Sequence, residues 1–312
     1  LRPASLLAAI VLAAAVAVRA GAAEGDVVLD AAAEQKSVKL GEDAVLLLTL
    51  TNRTANAAKV PLLRLARDSI SVRVAAPGGG GGVVTRLYGS FLEGEGGGLE
   101  FRPAPSPQRK LDPGASVQAR IVVPALIAGD LAFTAVLGDG GASPISAKPV
   151  VVEVQGRQRV AAQVDTTKGS FRIDLDPAGA YSSVANFWTL ANEHFYDNLP
   201  FHRVVLGALA QTGDPRGTGT GGPGWYVPAE PRVGAAARGD VGLAHGAHAD
   251  SAGSQWFVVA DAKGVLSGGY VRLGVVTEGL DTLDQLAANA TDPKTDRPKS
   301  PDRVVTVRTG LR

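Results

Sequence analysis

The chain has 312 residues, with 31 Lys and Arg against 30 Asp and Glu and a formal charge of +1. The two signs are interspersed, so no basic face for nucleic acid is present, and 45% apolar content excludes a disordered chain. With no cysteine, disulfides, thiolate-bound zinc and thiol nucleophiles are excluded, and the length suggests two domains.

Residues 1–23 read as a signal peptide. Arg2 supplies a thin positive start, Leu6 to Val18 is apolar and alanine-rich, and Ala20, Ala22 and Ala23 offer small-residue cleavage sites before Glu24. The apolar run is shorter than the ~20 residues of a membrane span, although an uncleaved N-terminal anchor is the alternative. No later stretch reads as a span. The expectation is a soluble protein exported to the periplasm or beyond, with no membrane contact except through this segment.

Residues 24–155 read as strand, turn, strand. Ala44 to Leu50 is a strongly apolar β-type run, and Ser69 to Val74 alternates with period two. Val83 to Leu87, Val117 to Val122, Leu131 to Leu137 and Val150 to Val154 complete the set. The breaks are rich in glycine and proline: Pro77 to Gly82, Gly94 to Gly98, and Pro103 to Pro107. This pattern predicts an antiparallel β-sandwich, and the turns Lys39 to Glu42 and Leu111 to Gly114 resemble those of immunoglobulin-like domains. The glycine run reads as a long, tolerated hairpin loop. No cluster of acids, histidines or nucleophiles marks this half, which reads as a docking or binding module.

Residues 156–163 form a polar linker, and residues 164–312 follow a different grammar. Val164 to Leu175 predicts a hairpin about Lys168-Gly169. Ser182 and Ser183 are positioned to cap a helix from Val184 to about Glu193. A second short helix is predicted over Leu280 to Ala288 and a closing strand over Val304 to Val307. Many strands with two helices suggest a closed barrel with a helix over each open end.

Five ordered segments carry a family resemblance. Thr166-Thr167-Lys168-Gly169 with Val184-Ala185-Asn186-Phe187 comes first, followed by Phe195-Tyr196-Asp197 with Phe201-His202-Arg203-Val204. Next come Gln211-Thr212-Gly213-Asp214-Pro215 with the glycine loop Gly217 to Gly222, then Asp250 to Phe257, and last Leu273 to Val276 with Glu278 to Asp281. Together they resemble the cyclophilin-type peptidyl-prolyl isomerases, over about half of the chain. The resemblance implies an eight-stranded β-barrel capped by two helices, in a mainly β protein. It further implies no cofactor or metal, and a monomer acting on proline-containing peptides or unfolded exported proteins.

Isomerisation of an X-Pro bond needs no nucleophile. Its barrier of ~18–20 kcal/mol is amide resonance, so the twisted amide must be bound better than either planar form. Twisting returns a lone pair to the prolyl nitrogen, and a fixed guanidinium can donate to it. Arg203 is the candidate donor. The resemblance implies that Gln211 holds the preceding carbonyl or orients Arg203, and that Leu209, Phe257 and Leu266 seat the proline ring. It further implies that Phe201 and His202 support the site, that Tyr270 stands where the family has a histidine, and that the backbone at Ala244 and His245 pairs with substrate. Two positions depart from the pattern. Ala208 replaces a pocket phenylalanine and Val265 a rim tryptophan, so the expectation is weak activity and low cyclosporin affinity, or a peptide-binding module with a degenerate pocket.

Three other signals are set aside. His245 and His248 lack a third metal ligand at suitable spacing. Gly217 to Gly222 is followed by no Lys-Ser/Thr pair. Ser254 is outside a Gly-x-Ser-x-Gly elbow.

Overall fold

The computed structural model describes residues 27–93, 99–104, 107–138, 144–262 and 269–312. The predicted signal segment, the glycine stretch Gly94 to Gly98, and both Val265 and Leu266 lie outside the described residues.

The N-terminal half packs two sheets around one core. In the first, Asp43–Asn52 lies between Val27–Ala33 and Ser116–Pro124, all antiparallel. The second runs Ser37–Lys39, Val150–Gln155, Gly129–Leu137, Ile70–Ala75, Gly81–Val84, with Ile145–Ser146 beside Gly129–Leu137. Period-two alternation sends Leu46, Leu48 and Leu50 inward to meet Val72, Leu131 and Phe133, each fully buried. One departure from the expected pattern is parallel pairing of Ser37–Lys39 with Val150–Gln155. The linker is also shorter than expected. Residues 156–159 are irregular, and Val160 already begins the strand Val160–Thr166, because Val160 and Ala162 are buried in the core.

The C-terminal half is an eight-stranded antiparallel sheet. Its order is Arg203–Val205, Leu209–Thr212, Trp256–Val259, Asp240–Leu243, Val271–Glu278, Gly169–Leu175, Val160–Thr166 and Val304–Leu311. Its outermost strands are brought together where Pro200 bridges to Arg303, with Phe201 N–H donating to Asp302 O (2.8 Å) and Val304 N–H to Leu199 O (2.9 Å). Two helices pack against the sheet: α1 (Tyr181–Asn192) and α2 (Leu280–Ala287). Phe187 of α1 meets Tyr196 and Trp256 at centroid distances of 5.3 and 5.8 Å inside the barrel.

The start of α1 differs from the expected cap. The helix begins at Tyr181, and no side chain caps it from the N-cap position. Instead the Glu230 carboxylate, 47 residues downstream of Ser183, accepts from Ser182 N–H and Ser183 N–H, both at 2.8 Å. This frees the Ser182 hydroxyl to face the N-terminal half, where it donates to Val83 O (2.8 Å) and accepts from Val83 N–H (3.1 Å). The adjoining Gly82 is seated so closely that a Cβ there would lie 2.9 Å from Ser182 Oγ and 3.1 Å from Tyr181 Cβ. Tyr181, fully buried, adds a hydrogen bond from its hydroxyl to Pro124 O (2.6 Å).

Replacing Tyr181 by Phe removes its hydroxyl's hydrogen bond to the Pro124 carbonyl, at a buried site. The expected cost is about 1–2 kcal/mol, read as a lower urea midpoint with an unchanged fold by circular dichroism.

Candidate active site

Strand register builds the site. Antiparallel pairing sets Arg203 opposite Gln211, Gln211 opposite Phe257 and Phe257 opposite Gly242. Directly opposed residues share a face, so a guanidinium, an amide, an aromatic ring and a bare glycine follow one another across four strands. The alternate row, Val204, Ala210, Val258 and Val241, points into the barrel and is buried throughout. Two residues along, Val205, Leu209 and Val259 return to the Arg203 face. Leu209, Val259, Phe257 and Tyr270 there form a small apolar cluster separate from the main core. Gly242 is required by this packing, because a Cβ would lie 2.3 Å from Phe257 Cζ and 2.6 Å from Tyr270 Cδ2.

Arg203 is held on two sides. One terminal nitrogen donates to Gln211 Oε1 (3.4 Å) and the other to Asp296 Oδ2 (3.1 Å), while the side chain stays 43% exposed. Gln211 in turn donates to Gln255 Oε1 (2.9 Å), and Gln255 donates to the carbonyls of Gly219 (3.0 Å) and Gly221 (2.9 Å). The loop carrying those carbonyls is wrapped around Asp214, a fully buried acid. Burial alone would raise the Asp214 pKa. Hydrogen bonds from the Gly221, Arg216, Gly219 and Thr218 amides outweigh it and hold the carboxyl below its usual range.

Other predicted residues fall on different sides of the sheet. Phe201 is fully buried in the barrel interior, edge-on to Trp256 at 6.4 Å. His202 is 5% exposed, and burial pushes its imidazole pKa down against the opposing pull of the Asp214 charge. Tyr270 is buried behind Phe257, with its hydroxyl donating to Asp240. Desolvation, reinforced by that carboxylate, raises its phenol pKa. Ala208 stands at the rim, 8% exposed, with its carbonyl taken by Ala260 N–H and Asp261 N–H. The Ala244 N–H is engaged by Gln255 O (2.9 Å), which leaves it no role in pairing with a substrate strand. His245 turns its ring to Gly246 O, and His248 Nδ1 accepts from Asp250 N–H.

Beside Gln211 opens a groove of about 440 Å³, lined by the glycine loop, Trp225, Ala244, His245 and Gln255. The N-terminal half supports its rim. Leu87 and Tyr226 exchange backbone hydrogen bonds (2.8 and 3.0 Å), and Arg86 stacks on the Trp225 ring at 3.9 Å. The Trp225 indole N–H donates to Asn186 Oδ1 (2.9 Å). Sequence reading assigned no role to Asp296, Gln255, Asp214 or Trp225. Gln255 and Asp214 sat inside the quoted motifs, whereas no local signal marks Asp296. The arrangement offers an oriented cation next to an apolar seat.

The His202 shift has a definite sign. The folded imidazole resists protonation more than the unfolded one, so stability is lost as pH falls below the ordinary value of about 6.5. The wild-type urea midpoint should drop between about pH 7.5 and about pH 5 by more than that of His202→Phe.

A family model described as cyclophilin type peptidyl-prolyl cis-trans isomerase/CLD matches residues 161–309. Peptidyl-prolyl cis-trans isomerase B of Bacillus subtilis (strain 168) is 46% identical over 112 residues, covering 35% of this chain and 76% of that protein. The peptidyl-prolyl cis-trans isomerase of Helicobacter pylori (strain ATCC 700392 / 26695) is 41% identical over 129 residues, covering 40% and 78%. A crystal structure of a Cryptosporidium parvum cyclophilin type peptidyl-prolyl cis-trans isomerase aligns over 49% of this chain and 98% of its own, with 27% identity and a TM-score of 0.45.

Proposed function

The chain belongs to the cyclophilin-type peptidyl-prolyl cis-trans isomerases, and from that premise we propose that its C-terminal half rotates X-Pro bonds of exported polypeptides, with Arg203 as the catalytic donor. The observation that carries the assignment to Arg203 is the cross-strand row Arg203, Gln211, Phe257. A proline ring resting against Phe257 and Leu209 is brought beside the guanidinium on the same face. Gln211 and Asp296 fix the orientation of the fork, so little reorganisation is needed as the prolyl nitrogen gains its lone pair. Gln211 also lines the adjacent groove, which suits the residues that precede proline.

The export reading rests on sequence: Arg2, the apolar run Leu6 to Val18 and the small residues before Glu24. Among the described residues no helix is long and apolar enough to cross a membrane. The substrates are then proline-containing segments of unfolded exported chains, and the N-terminal half is a module fixed against the groove's rim.

A second reading, peptide binding with little rotation, is favoured by Ala208. An aromatic wall absent there forgoes roughly 1.5–3 kcal/mol of apolar burial.

A coupled assay on a succinyl-Ala-X-Pro-Phe-type peptide with the full chain separates the two. The proposal expects faster cis-to-trans conversion, and a loss in kcat/KM of about 100-fold or more in a folded Arg203→Ala variant. Arg203→Lys should recover little, since an ammonium lacks the two-sided fork. Ala208→Phe should raise kcat/KM by about tenfold if the missing wall limits binding. A folded wild-type chain that leaves the background rate unchanged rejects catalysis in favour of the binding reading.

A further inference from the structure

A second cleft, of about 700 Å³, lies between the first sheet and α1. Arg86 and Asn186, which hold the Trp225 ring from behind, line it, while Arg203 and Gln211 do not. Its floor is apolar, with Leu65, Val84, Ile121, Val122 and Trp188. Three donors of its lining residues, Arg64 Nε, Thr85 Oγ1 and Trp188 Nε1, are closed to a molecule the size of water and have no acceptor among the described residues. Thr85 and Trp188 are 5% and 4% exposed, so bulk water does not readily satisfy them. Such buried donors are unfavourable where they stand and are out of a ligand's reach, so the accessible cations decide the ligand's chemistry.

Charge points the same way. Arg64 stacks on Tyr88 at 4.7 Å and Arg86 on Trp225 at 3.9 Å, and among the described residues neither lies within ion-pair distance of a carboxylate. Arg120, at the same cleft, is already engaged by Glu34 (2.6 Å). The acids Asp43 and Glu193 also line the cleft, on other segments than Arg64 and Arg86. One further feature selects the shape of the ligand. Ser116–Pro124, which supplies Ile121, Val122 and Pro124, is the outer strand of its sheet and pairs with Asp43–Asn52 alone. An outer strand accepts an extended chain by main-chain pairing.

We infer that this cleft binds an acidic, extended polypeptide segment, with carboxylates on Arg64 and Arg86 and its main chain along the outer strand Ser116–Pro124. The inference does not rest on the isomerase reading, because no residue of the Arg203 row takes part; the two sites meet where Arg86 and Asn186 hold Trp225. It gives the N-terminal half a ligand of its own.

The test uses the full chain and three probes: a proline-free peptide of alternating Val and Glu, its Val and Gln counterpart, and glutarate. Binding is followed by titration calorimetry and by tryptophan emission. The acidic peptide should bind at least about tenfold more tightly than either other probe. Arg64→Gln and Arg86→Gln should each weaken it several-fold, and Arg157→Gln, at an exposed site elsewhere, should not. Arg64→Lys, which keeps the charge, guards against misfolding and should retain most of the affinity. Equal binding of the Glu and Gln peptides overturns the proposal, as does affinity unchanged by both Gln variants. Glutarate binding as tightly as the peptide overturns the polypeptide assignment in favour of a small carboxylate, and no detectable binding of any probe rejects the site.

Discussion

The buried carboxylate of Asp214 is the point from which the Arg203 face is hung. An acid closed off from water persists in its charged form only if donors surround it, and here the amides of the glycine loop do so. That requirement gives the loop its shape. With the shape settled, the carbonyls of Gly219 and Gly221 fall where Gln255 can donate to both, and Gln255 then presents its oxygen to Gln211. Gln211 reaches Arg203 from one side and Asp296 from the other. The guanidinium is thus oriented by a relay that begins at a group which never meets a substrate. Longer side chains tied at several points lose less freedom when a ligand arrives, which is how a weakly shaped pocket can still hold a well-placed charge.

The same face also shows how a barrel divides its labour. On the four strands that carry this face, interior positions include Val204, Ala210, Val258 and Val241, which close the core. Arg203, Gln211 and Phe257 project the other way. Period-two geometry makes that division automatic once the register is correct, and Gly242 is the place where the outer row is thinned so that the edge-to-face rings of Phe257 and Tyr270 can approach the strand.

Much of this was legible in the residues, and the limits are instructive. The Arg203 to Gln211 spacing suits two strands of one hairpin, and the structure pairs them directly. The strand content of the first half and both helices were readable from periodicity. What local pattern could not give was any contact between distant segments that depends on shape. Asp296 reaches Arg203 from a turn 93 residues downstream in which its own backbone is left-handed, at φ +55°. Glu230 replaces the serine cap for the same reason: the donors of α1 were evident, but the acceptor arrives from another loop. Adjacent motif residues also misled. His202 belongs to a quoted segment and Tyr270 stands where the resemblance places a histidine, yet both are buried, and neighbours along a chain need not share a surface.

Gly82 gives the glycine run Gly78 to Gly82 an unequal character. At one end, Gly78 and Gly79 have open space where a side chain would stand, whereas Gly82 is pressed against Ser182 and Tyr181. Low-complexity runs of one residue are prone to gain or lose a unit over generations, and such changes are usually harmless in a surface loop. In this chain a change of length would slide another residue into the Gly82 seat, or draw Val83 off the Ser182 hydroxyl. Drift in the run is therefore tolerable only if it is absorbed at the Gly78 end, and the two halves of the molecule must inherit their spacing together.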